Sequence, residues 1–558
     1  MAPFGRLAPG QIVAVTSLAA PHSFFDLRES QFPDCENLGR LFSQIRVLGA
    51  KTLVIEEVDS ARAEDLRQEN EDLAIRIPGF GTGSSRTFRL SFFTRRFHSA
   101  RGLSRVKRQE FVGYILVKEE TWPSGSKSRR VFESVLPTGD IIHNYVRGAQ
   151  RWPCRVGSRK FSVRGYVYAQ QNGITNVCAH VALRTVAARF HPAGDMTYQA
   201  MNAILGIDHR KNWVGRSLAL GVDGRGLSIS EMETILGSLG LSVTRADYTG
   251  EAGFVPAAPY QRYVYGSIES GFPSIIVFDT STSGAMHAIP VFGHTFNRDT
   301  WVPSAERGYF QVGPSTQYLP SESWVSSFVM HDDNYGSNFC VPRHYLRPVA
   351  PEGSKPAVPD APESESEEDD SETKAKMKAA GSEWVAHVIC PRPEKVRLTP
   401  LFAEVVGVDF LWAILPQLPS DGNQWGNRLI DFMGASRCVF RPLLVDGKDY
   451  IKHLAKMRGW SGGKIDRTIV NVLKRLLDRK QVWIVEMSVP ELFSANLRKI
   501  GEVVLFSDHE VTSDRDFASF VLARLPGYFV LCQSGGKSPK FSFVPSGISS
   551  HVPLLGAD

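Results

Sequence analysis

Apolar positions along this chain change period several times, and each change predicts an element. Gln11–Ser17, Thr52–Glu57 (TLVIEE) and Phe111–Lys118 (FVGYILVK) read as strands, while Glu36–Leu48 spaces its apolar residues as one stripe of an amphipathic helix. Further along the order is helix first, sheet second. Val177–Phe190 sets Val177, Val181, Leu183, Val186 and Phe190 broadly on one side of a helix. Leu227–Leu239 is a second helix, with Ser228 or Ser230 as its cap and Gly240 as its stop. Pro273–Phe278 (PSIIVF) and His287–Phe292 (HAIPVF) are short apolar runs bounded by Gly, Ser and Thr, the mark of buried strands. Beyond Trp384 the reading is a helix at Ile465–Asp478, strands at Val482–Met487 and Glu502–Phe506, a helix at Asp516–Leu525 ended by Pro526 and Gly527, and a strand at Tyr528–Cys532.

One stretch has no such pattern. Residues 351–383 (PEGSKPAVPDAPESESEEDDSETKAKMKAAGSE) carry almost nothing able to bury apolar surface, so they read as an acidic disordered linker. The chain therefore divides into an N-terminal α/β domain (1–150), a central region (151–350), the linker (351–383) and a C-terminal α/β domain (384–558). The length of 558 residues fits several domains better than one core.

Composition narrows the class. With 42% hydrophobic and 22% charged residues the chain reads as a soluble globular protein, and no apolar run approaches the about 20 residues of a membrane span. The apolar part of the first 25 residues is interrupted by Gln11, Thr16 and Ser17, which reads as a strand and not as a cleaved signal. Seven cysteines without a CxxC pair point away from a disulfide scaffold or a zinc ribbon and towards a reducing cytoplasm. A net charge of +6 is small for this length and does not suggest nucleic acid. Between Ser84 and Glu110 eight Lys or Arg stand against one Glu, read as a solvated edge strand followed by a flexible loop. Gly79–Ser85 (GFGTGSS) lacks the Lys-Ser/Thr ending of a phosphate loop and reads as a turn.

Candidate chemistry gathers around Cys178. A thiol reacts as thiolate, and the unsatisfied N–H groups at a helix N-terminus stabilise one. Taken alone, a cysteine at a helix start is more often a small core residue. Its companions elsewhere in the chain alter that balance. Gln171 upstream has a side-chain amide able to act with the Cys178 backbone N–H as an oxyanion donor, with Gln170 and Asn172 as less favoured substitutes. His287 opens a buried strand in SGAMHAIPVFGH and can take and return the proton. FVMHDDNYG then offers Asp332 and Asp333 as the group that orients the imidazole, with Asn297 as a nearer candidate. His180 and His294 compete for the role of base, but His180 lies two positions from Cys178 on the same helix and points elsewhere. Cys178 and His180 with His191 or His331 lack metal-ligand spacing, so no metal and no cofactor are expected.

A Gln followed by an xCxxxAL helix, then GxPxIIV, HAIxVxGH and a strand entering DxxxG, resembles the papain-like cysteine peptidases. Among these it is similar to the bacterial branch of double-glycine leader peptidases. The resemblance spans roughly residues 165–340. It implies an α+β papain-like core of two lobes, a helical lobe with Cys178 as nucleophile and an antiparallel sheet with His287 as general acid/base. Asp332 would orient the imidazole and Gln171 would donate to the oxyanion. The chain departs from the family in three places. The Gln-to-Cys spacing is one residue longer than in papain, Ala179 and His180 stand after the nucleophile, and a long insertion separates His287 from Asp332.

The expectation is thus a cytoplasmic cysteine peptidase that cleaves a peptide or protein. A protein partner through the flanking domains is open; nucleic-acid and membrane partners are not expected. Two rivals keep the same residues: a deamidase, transglutaminase or acyltransferase, and an inactive protease fold serving as an interaction module.

Overall fold

The computed structural model describes residues 10–18, 20, 22–81, 83–138, 144–172, 174, 177–192, 194–207, 226–249, 256–279, 286–301, 317–348, 384–457, 465–509, 517–533, 540–546 and 552–556. The linker at 351–383 and most of the aromatic stretch between His287 and Asp332 lie outside them. The fold is mixed α+β, 34% helix and 36% strand, with several antiparallel sheets. The chain forms two compact units, one of residues 1–257, 272–294 and 327–391, the other of residues 258–271, 295–326 and 392–558.

The first unit starts with a six-stranded sheet in chain order: Gly10–Ser17, Thr52–Val58, Ser85–Phe93, Phe111–Thr121, Lys127–Val135 and Val167–Tyr168. All its pairings are antiparallel. The helix Glu36–Val47 lies on one face because Leu38, Leu41, Phe42 and Ile45 repeat at helical spacing and pack into Leu53, Ile55, Phe92 and Ile115. On the other face, Trp152, Cys154, Phe161 and Val163 of the hairpin Gln150–Gly165 meet Phe93, Phe111 and Tyr114.

The basic stretch does not form an edge. Ser85–Phe93 is an interior strand, paired on both sides, and Arg89 reaches Glu56 at 2.9 Å with both side chains fully buried. Arg86 pairs with Glu57 at 2.8 Å, and two 3₁₀ turns, Ala100–Arg105 and Arg108–Glu110, follow in place of a loose loop. Charge density alone suggested solvent exposure; here part of it is matched by carboxylates of the neighbouring strand.

The second sheet of this unit runs in the order Leu241–Asp247, Trp384–Pro393, Ser274–Asp279, Met286–Phe296, Val325–Asp332, Gly336–Pro342. Helices Cys178–Ala187, Tyr198–Ile204 and Ile229–Gly237 supply Ala182, Leu183, Val186, Met201, Ile235 and Leu236 to a core shared with Ile275, Val277, Ala288 and Ile389. Ser228 is the cap of Ile229–Gly237: its hydroxyl accepts the Glu231 N–H at 3.3 Å while the Glu231 carboxylate accepts the Ser228 N–H at 2.8 Å. Trp384–Pro393, expected to open the C-terminal domain, instead pairs antiparallel with Ser274–Asp279 and parallel with Arg347–Pro348. A strand buried on both faces carries no local mark of its partner.

The second unit centres on a seven-stranded sheet ordered Leu319–Pro320, Val439–Asp446, Gln481–Ser488, Gly501–Phe506, Phe520–Leu525, Tyr528–Gln533, Lys540–Pro545. The helix expected at Asp516–Leu525 is the strand Phe520–Leu525, turned by Pro526 and Gly527 into its neighbour. All six of its residues are buried, so it shows neither the two-residue alternation of a half-exposed strand nor the stripe of a helix. Among the described residues one helical stretch, Pro400–Gln417, is long and apolar enough to cross a membrane, and half of it is buried within the protein. A Cβ on its Gly407 would fall 2.7 Å from the Val485 side chain, so glycine there lets helix and sheet touch.

Candidate active site

Cys178 is the first residue of its helix. Val177, extended at φ −117° and ψ 174°, leads in without a side-chain cap. The thiol is half-buried. The helix is held from behind by Arg184, which donates to Glu133 at 2.7 Å, Asp195 at 2.9 Å and Asp65 at 3.2 Å, all of them buried.

His287 is fixed by the register of its strand. Ile289 pairs with Ile276, Ala288 with Val277 and His287 with Phe278, whose ring meets the imidazole edge-on at 5.3 Å. The imidazole Nε2 lies 3.3 Å from Asp332 Oδ2 and 3.4 Å from Asp333 Oδ1. Cys178 stands beside the same ring, close enough to raise its pKa. With Nε2 turned to the carboxylates, Nδ1 is the nitrogen left for the sulfur. Burial alone would strip the proton from this ring. The hydrogen bond to Asp332, the Cys178 thiol and the charges of both aspartates overcome it, and the pKa is raised to about 10.

The two aspartates have separate tasks. Asp332 ends its strand, and its Oδ1 accepts the N–H groups of Asn334 at 2.8 Å and Tyr335 at 3.1 Å while Oδ2 faces His287. Burial would raise its pKa, but the imidazole and the two backbone N–H groups hold it below the ordinary value. Asp333 is pushed up to about 6 by burial, against the attraction of His287, with the Asp332 charge adding to the rise. Its Oδ2 is buried and has no hydrogen-bond partner among the described residues.

The remaining candidates separate cleanly. Asn297 turns its side-chain carbonyl to the Asp299 N–H, 3.1 Å away. His180 is buried with Nε2 at 2.9 Å from Asn202 Oδ1, and His294 is buried and stacked on Tyr145 at 4.8 Å between ring centroids. Of the three upstream amides, Gln170 accepts the Val131 N–H at 2.6 Å, and Asn172 donates to Glu69 at 2.8 Å and accepts the Ile174 N–H at 2.9 Å. Gln171, between them, is half-buried and makes no hydrogen bond to another described residue.

Comparison with protein-family profiles, with curated proteins and with solved structures gives no match. The chemistry therefore rests on these side chains alone.

Cys178 and Asp332 both act on the His287 ring, the arrangement a base-activated nucleophile requires. His287, Asp332 and Asp333 also present three ligand atoms within 4.8 Å of one another, close enough for a divalent cation. Residues that sequence reasoning missed are Asn37, Arg40 and Gln44, which bond to the turn after Asp332. The only signal for them was a polar stripe at helical spacing beside the apolar one.

Proposed function

We propose that this chain is a papain-like cysteine peptidase, acting on a peptide or protein substrate in a reducing, cytoplasmic setting. The observation that carries the reading is the convergence of Cys178 and Asp332 on the His287 ring, supplied by a helix start, a strand end and a buried strand. The imidazole keeps its proton strongly, so His287 stands as an imidazolium able to donate it. The thiolate attacks the substrate carbonyl, and the tetrahedral oxyanion takes hydrogen bonds from the Cys178 N–H and the Gln171 amide. His287 gives its proton to the departing amine, leaving a thioester. It then removes a proton from water, which attacks the thioester and returns the thiol. Asp332 holds the ring and stabilises its charged form. Seven free cysteines support the reducing compartment.

The test is mass spectrometry of the protein after iodoacetamide at neutral pH, followed by peptide-library digestion. Cys178 should alkylate well ahead of the other six cysteines, and Cys178→Ala should abolish cleavage. Equal labelling of all seven would remove the proposal. Products heavier by about one mass unit, with no scission, would move it to a deamidase on the same residues. Incubation with a chelator should leave alkylation and cleavage unchanged; loss of cleavage would instead assign His287, Asp332 and Asp333 to a catalytic cation.

A further inference from the structure

We propose that Arg40 and Gln44, on a helix outside the stretch that resembles the peptidases, are positioning residues for the His287 acid/base, holding the turn that presents Asp332 and Asp333 to it. This rests on the catalytic reading above.

The helix Glu36–Val47 turns its apolar stripe to the first sheet and a polar stripe, Asn37, Arg40 and Gln44, to the turn after Val325–Asp332 and the first residues of Gly336–Pro342 that close it. Asn37 Nδ2 donates to the Asp333 carbonyl at 3.1 Å. Arg40 forks over two consecutive carbonyls, Nε to Ser337 at 2.8 Å and a terminal nitrogen to Asn338 at 2.8 Å. Gln44 donates to the Ser337 carbonyl at 2.6 Å, and its own oxygen accepts from Ser337 Oγ at 3.0 Å and Asn338 Nδ2 at 3.1 Å. Asn37, Gln44, Ser337 and Asn338 are all buried, so these bonds are made without competition from water.

The turn they grip is an uncommon one. Gly336 sits at φ +116° and Asn338 at φ +48°, and a Cβ on Gly336 would fall 2.8 Å from Arg40 Cδ. Backbone in this region is kept only where its surroundings over-determine it. Most of the helix bonds end on main-chain carbonyls, so what they specify is where the turn lies. The helix is fixed in turn by Leu38, Leu41, Phe42 and Ile45 in the sheet core. The aspartates thus take their position from the N-terminal sheet as well as from their own strand.

Position and charge predict opposite signs at His287. The groups that face its ring are Cys178 from the helix start, Asp332 and Asp333 from the turn, and the uncharged Phe278 from the adjacent strand. If Arg40 acted only as a cation, its removal would let His287 hold its proton more strongly. If Arg40 holds the turn, removal lets the carboxylates drift and the proton is lost at lower pH.

The experiment is NMR titration of the full chain carrying labelled histidine, with His287 assigned by comparison with His287→Asn. Arg40→Gln, Gln44→Ala and the milder Ser337→Ala are compared with the parent. The expected result is release of the His287 proton at lower pH in all three, by about a unit or more for Arg40→Gln and less for Ser337→Ala. Iodoacetamide capture of Cys178 should slow in the same order. Release at the parent pH or higher in Arg40→Gln and Gln44→Ala overturns the proposal; should Arg40→Gln fail to fold, Gln44→Ala and Ser337→Ala decide it by the same sign. The titration needs no substrate, so a chain that cleaves nothing still returns an answer on positioning.

Discussion

Arg184 and Glu133 meet at 2.7 Å with both side chains buried, and through this pair the helix that starts at Cys178 is tied to the fifth strand of the N-terminal sheet. Asp195 and Asp65 complete the set of acceptors. Replacing Arg184 by Leu would take its cation away from three buried carboxylates. The expected cost is about 3–5 kcal/mol of stability, the range for breaking one side of a buried ion pair. Urea unfolding followed by circular dichroism measures it. A loss below about 1 kcal/mol would mean that water reaches these carboxylates in the folded protein.

The thiols should rank by environment. Cys35, Cys154 and Cys438 are pushed up to about 12 by burial, and Cys340 and Cys532 are raised by the same cause. Cys178 instead stands beside an imidazole raised to about 10. His287→Gln should therefore slow alkylation of Cys178 by about 100-fold or more, the scale of a lost general base, and leave the other thiols as they were. Unchanged labelling in that variant would break the link between thiol and ring.

Asp333 sets an acid limit. Its carboxyl is raised to about 6, so as pH falls through about 6 it takes a proton and its charge no longer supports the imidazolium. Alkylation of Cys178 should show an inflection near pH 6 that Asp333→Asn removes. For folding the sign is opposite. A raised acid favours the folded state when protonated, so Asp333 contributes stability below its ordinary pKa of 3.8 and loses it as pH rises through about 6. His287, raised to about 10, contributes stability that is complete below 6.5 and is lost as pH rises through about 10. In Asp333→Asn the stability difference from the parent should grow in favour of the variant between pH 4 and pH 7; a flat difference would contradict the assignment.

Gln171 can be separated from the nucleophile by the step it serves. An oxyanion donor acts on the tetrahedral intermediate and not on alkylation, so Gln171→Ala should lower peptide turnover by about 100- to 1000-fold while iodoacetamide still captures Cys178 at the parent rate. Asn172→Ala should lack that contrast, since its side chain already bonds Glu69 and Ile174. Equal losses of turnover in the two variants would count against Gln171.

Much of this site could be read from sequence because its parts sit at element boundaries. Cys178 marks where a loop becomes an apolar helical stripe, and His287 opens an apolar run, so each position had a local signature. The residue pattern left Asp332 and Asp333 as alternatives, since adjacent residues on a turn differ by how the backbone folds over them, and only the family resemblance favoured Asp332. It is the N–H groups of Asn334 and Tyr335 that set Asp332 apart. Arg40 and Gln44 were invisible for another reason: they serve a turn nearly three hundred residues away, and a polar stripe on a helix does not say what it faces. The strand at Phe520–Leu525 was misread because complete burial removes the alternation on which the reading depends. Local pattern locates elements well and their neighbours poorly.

The strand Trp384–Pro393 comes after the acidic segment yet lies between Leu241–Asp247 and Ser274–Asp279, hydrogen-bonded inside the sheet that carries His287. A nick anywhere in that segment would cut the covalent thread without parting the pieces. The severed chain would stay stitched in by its ladder of main-chain bonds, so the two fragments travel together until something melts the sheet itself.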